Sequence, residues 1–254
     1  MIEPVAIYIL WYREMIKFFR ARFRIIGAVA MPLFLLVFLG FGFRKVDVPG
    51  LPPEIGYFQY FVPGIIGMTL LFTGISVGMV VLMDRQFGFL KEIMVTPAGR
   101  VSIVLGRIAG GATTSLIQAF IILLIAIAMG FRPVGIIHAA GAFLVMLFIS
   151  IIFISSGLIL ASRLQDVHDY NNIMNFINFP LFLLSGALFP LENLPPFIRI
   201  FAIFDPLTYG VDALRSLLIG VSSFPLILDI GILIIVATGM VLLAAHAFRT
   251  GEVM

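Results

Sequence analysis

Six apolar stretches, each long enough to cross a bilayer, take up most of this chain of 254 residues. They run over residues 25–43, 61–83, 112–131, 139–161, 173–189 and 226–248. A membrane helix needs about 20 predominantly apolar residues. Hydrocarbon offers no water to backbone N–H and C=O groups, so each stretch is expected to close its hydrogen bonds internally as an α-helix. A β-barrel is excluded because the apolar residues are continuous rather than alternating. Composition agrees: 61% of the residues are hydrophobic and 11% charged. A soluble domain carries about 25% charge, so this chain could not cover its own surface in water. The expected fold is an all-α polytopic membrane protein, one transmembrane domain over residues 1–254.

The net charge of +3 is accounted for by position rather than by nucleic-acid binding. Arg13, Lys17, Arg20, Arg22 and Arg24 precede the first stretch, and Arg85, Lys91, Arg100 and Arg107 lie between the second and third. With Arg163 and Arg249, eleven basic residues fall on one side. Arg44, Lys45, Arg132, Arg199 and Arg215 make five on the other. The positive-inside rule then places both termini in the cytoplasm of a cell-membrane protein. No cleavable signal is expected, because the first apolar stretch comes late and no small-residue cleavage site follows it. There is no Cys, which removes disulfides, thiol catalysis and thiolate metal sites.

Before the first span, Arg13, Lys17, Arg20 and Arg24 recur at spacings of four, three and four, forming one stripe of a helix. Tyr8, Trp11, Met15, Phe18 and Phe19 lie opposite, a pattern suited to a helix in the headgroup layer. Such a helix either anchors the topology or touches a partner. Pro32 is expected to kink the first span. Gly67, Gly74 and Gly78 in the second, and Gly106 and Gly110 entering the third, offer small-residue faces for close helix packing. After the fifth span, residues 189–224 are apolar yet broken by Pro195, Pro196, Asp205, Pro206, Asp212 and Arg215. Two short helices dipping part-way from the outer surface fit that pattern. No internal repeat marks an inverted-repeat transporter.

The search for chemistry is largely negative. None of the three lysines follows a Gly, so the phosphate-cradling G-x-x-x-x-G-K-[ST] loop is missing. H-E-x-x-H and G-x-S-x-G are absent, and His138, His168 and His246 lie far apart. Asp229 and His246 alone among ionisable residues fall inside a proposed span, each near its end, where Asp229 reads as a hydrated boundary residue. Asn171, Asn175 and Asn178 share one face at the start of the fifth span. Hydrocarbon cannot satisfy their amides, so they either bond another helix or line a transport route. In the loop 84–107, Phe89, Leu90, Ile93 and Met94 recur at helical spacing and stop before Pro97. This gives a short amphipathic helix able to rest on lipid or enter a partner's groove.

Two segments resemble the type-2 ATP-binding-cassette permeases. Residues 87–107, FGFLKEIMVTPAGRVSIVLGR, are similar to that family's E-x-G-T-L-E-x-L-x-x-T-P-x-x-R loop. Gly88, Leu90, Glu92, Thr96, Pro97 and Arg100 match, while Phe89 stands where Thr is usual and Lys91 where Glu is usual. Residues 184–215 resemble the block S-G-x-x-F-P…L-P…N-P-L-T-Y-x-x-D-x-x-R, with Asp205 in place of the usual Asn.

The resemblance covers essentially the whole chain and implies a six-span permease of an exporter. It implies a second permease copy, in a homodimer, and separate cytoplasmic ATP-binding subunits that hold the ATP and Mg, so that this chain carries no cofactor and no catalytic or metal residue. The segment 87–97, with Phe87, Gly88, Phe89, Leu90, Glu92, Ile93, Thr96, Pro97 and the following Arg100, would be the coupling helix docked on the ATPase. Phe189, Pro190, Pro195, Asp205, Pro206, Tyr209, Asp212 and Arg215 would belong to the outer gate, and Asn171, Asn175 and Asn178 to the substrate path. The cargo would be amphipathic, drug-like or lipid-linked. Two other classes stay open: an ion-coupled transporter or channel, which needs a buried coordinating group, and an intramembrane enzyme, whose sole candidate cluster is Asp166, His168 and Asp169.

Overall fold

The computed structural model describes residues 3–43, 55–88, 99–191 and 195–250, and the regular structure among them is helical throughout. Helices α1 (Pro4–Arg20) and α2 (Arg22–Gly42) are separated by Ala21 alone. Four long helices follow: α3 (Tyr57–Gln86), α4 (Arg100–Ala128), α5 (Ile136–Arg163) and α6 (Val167–Leu184). Two short ones, α7 (Pro196–Phe204) and α8 (Pro206–Ile219), precede the last, α9 (Leu226–Thr250). Each long apolar run meets the requirement that a backbone in hydrocarbon bond to itself.

Five of these helices, α2, α3, α4, α5 and α9, are long and apolar enough to cross a membrane. The stretch expected as a fifth span, 173–189, is not among them. Its helix starts earlier, at Val167, where the Asp166 carboxylate accepts from the His168 N–H at 2.9 Å and caps the first turn. It stops at Leu184, ahead of Gly186 at φ +72°. The earlier start brings Asp169, Asn171 and Asn172 into the helix and lowers its mean hydropathy. Even so, α6 runs the length of the bundle beside α3. Arg85, near the end of α3, donates to the Leu164 carbonyl at 3.3 Å, and Tyr60, near its start, donates to the Gly186 carbonyl at 3.2 Å.

Helix α3 is the centre of the packing, its face from Tyr57 to Leu71 almost wholly buried. The expected small-residue face is where its neighbours come closest. A Cβ on Gly67 would stand 2.7 Å from Val211 Cγ2 of α8, and one on Gly74 would stand 2.9 Å from Phe153 Cβ of α5. At Gly78 it would overlap the Gly157 carbonyl, and at Gly157 it would lie 2.5 Å from the Ile75 carbonyl. The crossing is locked by Tyr170 of α6, fully buried, whose hydroxyl donates to Ile75 O at 2.5 Å and Gly157 O at 3.3 Å.

Helix α1, expected in the headgroup layer, has a protein surface along one side. It lies along the first half of α4, where Gly106 admits Leu10 Cβ and Gly110 admits Glu14 Cβ. Trp11 Nε1 donates to Thr113 Oγ1 at 3.0 Å, and the Glu3 N–H donates to Ser102 Oγ at 2.8 Å. Leu10, Met15 and Phe18 are buried there, whereas Tyr8 and Phe19, expected on the same apolar face, are exposed. The glycine pair decides this, because a helix can approach another closely only where no Cβ intervenes.

The two short helices form where expected. Helix α7 is exposed along Phe197, Ile200, Phe201 and Phe204, while α8 is buried almost throughout. Gly78→Leu is expected to cost at least about 3 kcal/mol, because the new side chain meets backbone rather than a movable side chain. Gly27→Ala, with open space at its Cβ, is expected to be neutral. Thermal unfolding of the two purified variants separates these outcomes.

Candidate functional site

The two ends of the bundle are built from different chemistry. At one end α3 closes with Asp84, α4 presents Arg107, and α1 contributes Arg13, Glu14 and Lys17. Arg13 donates to both Asp84 carboxylate oxygens at 3.0 and 3.2 Å, and Lys17 Nζ reaches the same carboxylate at 3.2 Å. Arg107 bridges the two acids, Nη1 donating to Glu14 at 2.5 Å and Nη2 to Asp84. Its side chain is the largest that is fully buried among the described residues. Arg107 was expected in a loop. It lies inside α4 because that helix begins at Arg100. Three cations on two carboxylates thus fasten α1, α3 and α4 together. Arg100 adds α9, donating to the Arg249 carbonyl at 2.8 Å, where a helix end leaves carbonyls without intrahelical donors.

The segment resembling a coupling loop springs from this hub. Phe87 is 80% exposed just past the end of α3, and Gly88 has φ +78°, a backbone region that favours glycine. Phe89, Leu90, Glu92, Ile93, Thr96 and Pro97 lie outside the described residues. The chain returns at Gly99 and Arg100.

At the other end a second buried guanidinium makes no ion pair among the described residues. Arg215 of α8 donates through Nη2 to the carbonyls of Gly186 and Ala187 at 2.7 and 3.0 Å, and through Nε to Tyr60 O at 3.3 Å. It also stacks over the Tyr60 ring, 3.6 Å from the centroid. The start of α3, the turn after α6 and α8 are thereby joined. Asp212 accepts from the backbone N–H groups of Ser223 and Phe224, at 2.8 to 3.0 Å, and fixes the turn into α9. Thr208 and Tyr209 hydroxyls donate to the Ala202 and Ile203 carbonyls at 2.7 and 2.8 Å, holding α7 against α8.

Pro195 and Pro206 sit at the starts of the two short helices, where a missing N–H costs nothing. Phe189 is exposed and Pro190 half-buried, just beyond the Gly186–Ala187 turn that Arg215 holds. Asp205, 2% exposed, caps α8 through Oδ1, which accepts from the Leu207 N–H at 2.9 Å, while Oδ2 has no partner among the described residues. Burial pushes its carboxyl up to about 7.

The asparagine face of α6 divides. Asn178 is fully buried with neither amide atom hydrogen-bonded among the described residues, Asn171 is half-buried, and Asn172 and Asn175 are exposed beside Phe176 and Phe179. Asp229 corrects an expectation. It is not a hydrated boundary residue: it is fully buried in the first turn of α9, neither oxygen has a donor among the described residues, and its carboxyl neighbour is Asp212. Asp166, His168 and Asp169 are exposed, and no described group of three His, Cys, Asp or Glu is arranged to hold a metal ion.

Sequence reasoning missed the hub. Its signal was an isolated acid, Asp84, at the edge of a span beside a basic run, and a lone Arg107 one turn after Ile103 in an otherwise apolar register. It also missed Tyr60, which nothing in an aromatic-rich segment distinguishes.

Arg107→Ala is expected to cost about 1.5–3 kcal/mol in thermal unfolding, because it removes the charge-assisted bonds that join Glu14 to Asp84 while Arg13 and Lys17 still hold Asp84. Arg107→Lys should recover only part, since an ammonium cannot bridge both acids as the planar fork does. Asp205→Asn keeps the cap and removes the titrating group. A carboxyl raised in the fold adds stability below its unfolded value near 3.9, lost as pH rises through about 7. The Asn variant should therefore gain on the parent from pH 5 to pH 8 in paired melting curves.

Residues 5–219 match the family model described as ABC-2 type transporter. The chain is 30% identical over 213 residues to a protein of Cyanophora paradoxa named as transport permease ycf38, covering 83% of this chain and 73% of that one. It is 24% identical over 215 residues to a protein of Mycobacterium tuberculosis named as doxorubicin resistance ABC transporter permease protein DrrC, covering 82% and 75%. It is 21% identical over 198 residues to YbhS of Escherichia coli, named as a multidrug ABC transporter permease, covering 76% and 51%. With a helical bundle of membrane-length helices and two short helices at one end, the chain belongs to the ABC-2 type transporter permease family.

Proposed function

We propose that the chain is the membrane half of an ATP-driven exporter, moving an amphipathic, drug-like or lipid-linked molecule across the cell membrane. Two copies pair, and a separate ATP-binding subunit docks on segment 87–97 and hydrolyses ATP with Mg. Both termini and the ionic hub face the cytoplasm, α6 makes a sixth pass, and α7 and α8 face outward. The observation that carries this reading is the hub. The docking segment is rooted where Arg107, Asp84, Glu14, Arg13 and Lys17 lock three helices, so force applied there moves a rigid unit rather than bending one loop. Pairing is supported by α6, whose exposed Asn172, Asn175, Phe176 and Phe179 need a second protein surface or water in hydrocarbon. The name of one relative concerns doxorubicin resistance, which fits an amphipathic cargo.

A second reading, ion-coupled transport, gains the buried carboxylate it lacked: Asp229. Reconstituted vesicles distinguish the two. The permease with its ATP-binding partner should move cargo when ATP is added and the ion gradients are collapsed, and Gly88 or Glu92 replacement should lower coupled transport at least about tenfold. Transport by the permease alone, driven by an ion gradient, would overturn the proposal.

A further inference from the structure

A cavity of about 560 Å³ lies between α1, α2, α3 and α4, reaching the hub at Glu14 and lying apart from α8. Its volume is that of a site for a small organic molecule. Most of the wall is apolar, with Phe18, Met31, Met68, Phe72, Met79 and Met83 among the lining residues. Met31 and Met83 are 49% and 38% exposed on membrane-length helices, so the cavity opens sideways, toward lipid, between α2 and α3.

One wall is polar in a helical register. Thr69, Thr73 and Ser76 follow one another by four and three along α3, facing Thr114 and Gln118, four apart on α4. The hydroxyls of Thr69, Ser76 and Thr114 donate back to their own helices. Thr73 Oγ1 donates to Gln118 Oε1 at 2.9 Å. That bond occupies the Gln118 carbonyl and leaves its NH₂ group without an acceptor among the described residues. Gln118 is 5% exposed and lines the cavity. Amide donors that face a largely apolar chamber are costly unless water or a ligand brings an acceptor.

We infer that this cavity binds an uncharged amphiphile from the bilayer, an apolar body carrying an amide, ester or ketone carbonyl that accepts from Gln118. The flexible methionines suit apolar bodies of differing shape. As a route for cargo the site rests on the permease reading above; as a binding site it stands without ATP or a partner.

The test uses the full chain alone in nanodiscs, with two photoactivatable diazirine probes of equal length, a fatty amide and its hydrocarbon counterpart. One hydrogen bond of ordinary net strength predicts about fivefold preferential labelling by the amide probe, mapped to the α3 and α4 peptides that hold Thr73 and Gln118. Gln118→Leu should bring the amide probe down to the hydrocarbon level and leave the hydrocarbon probe unchanged. Met31→Trp, which fills the rim, should lower labelling by both probes. Equal labelling by the two probes in the parent protein, or an undiminished amide preference in Gln118→Leu, would overturn the inference. So would labelling spread evenly over every lipid-facing helix. None of these outcomes depends on whether the protein transports anything.

Discussion

The close approach of α3 to its neighbours is the constraint on which the rest of the bundle depends. In lipid, burying one apolar helix against another gains little over burying it in acyl chains, so association relies on dispersion contacts and hydrogen bonds at short range. Gly67, Gly74 and Gly78 bring α8 and α5 to within contact of the α3 backbone. Once that seam closes, the Tyr170 hydroxyl can reach two main-chain carbonyls from different helices. A side chain at any of these glycines would separate the helices and leave that hydroxyl buried without a partner.

Two buried guanidiniums then define the ends, and each is satisfied differently. Arg107 is neutralised by Glu14 and Asp84 and shares them with Arg13 and Lys17. Arg215 is solvated by three backbone carbonyls and a tyrosine face. Arginine suits both places because its planar fork presents several donors at fixed angles and stays charged when desolvated. An ionic cluster of this kind sets relative helix positions firmly, which is what a segment rooted in it requires if a soluble partner pushes on it. The carbonyl-solvated arginine holds a turn, Gly186–Ala187, against two helices.

Much of this architecture was legible along the chain. The apolar runs mark the long helices, the glycine spacings mark the helix contacts, and Pro195, Pro206 and Asp205 mark the starts of the short helices, since proline and a capping carboxylate act locally. The family resemblance rested on the same local features. What escaped were groups whose meaning depends on distant neighbours. Asp229 looks like a boundary residue by its position in a span, yet α8 packs over it. Arg107 looks like a loop residue until α4 is seen to begin at Arg100. The α1 stripe marked one face of that helix, and only the fold shows that Gly106 and Gly110 seat another face on α4. The polar wall of Thr73, Ser76 and Gln118 reads as scattered residues until α3 and α4 lie side by side.

The amino-acid sequence by itself determined that this protein is helical and lives in a bilayer, because continuous apolar runs leave the backbone no other way to satisfy its hydrogen bonds. It also determined which faces carry small residues and where the chain must turn. Tertiary structure alone decided which charges would be buried and with whom, because ion pairing at Asp84, carbonyl solvation at Arg215 and the unmet amide donors of Gln118 arise from segments more than twenty residues apart in the chain. Local sequence fixes what a residue can donate or accept, and only the packed fold brings the other half of the bond.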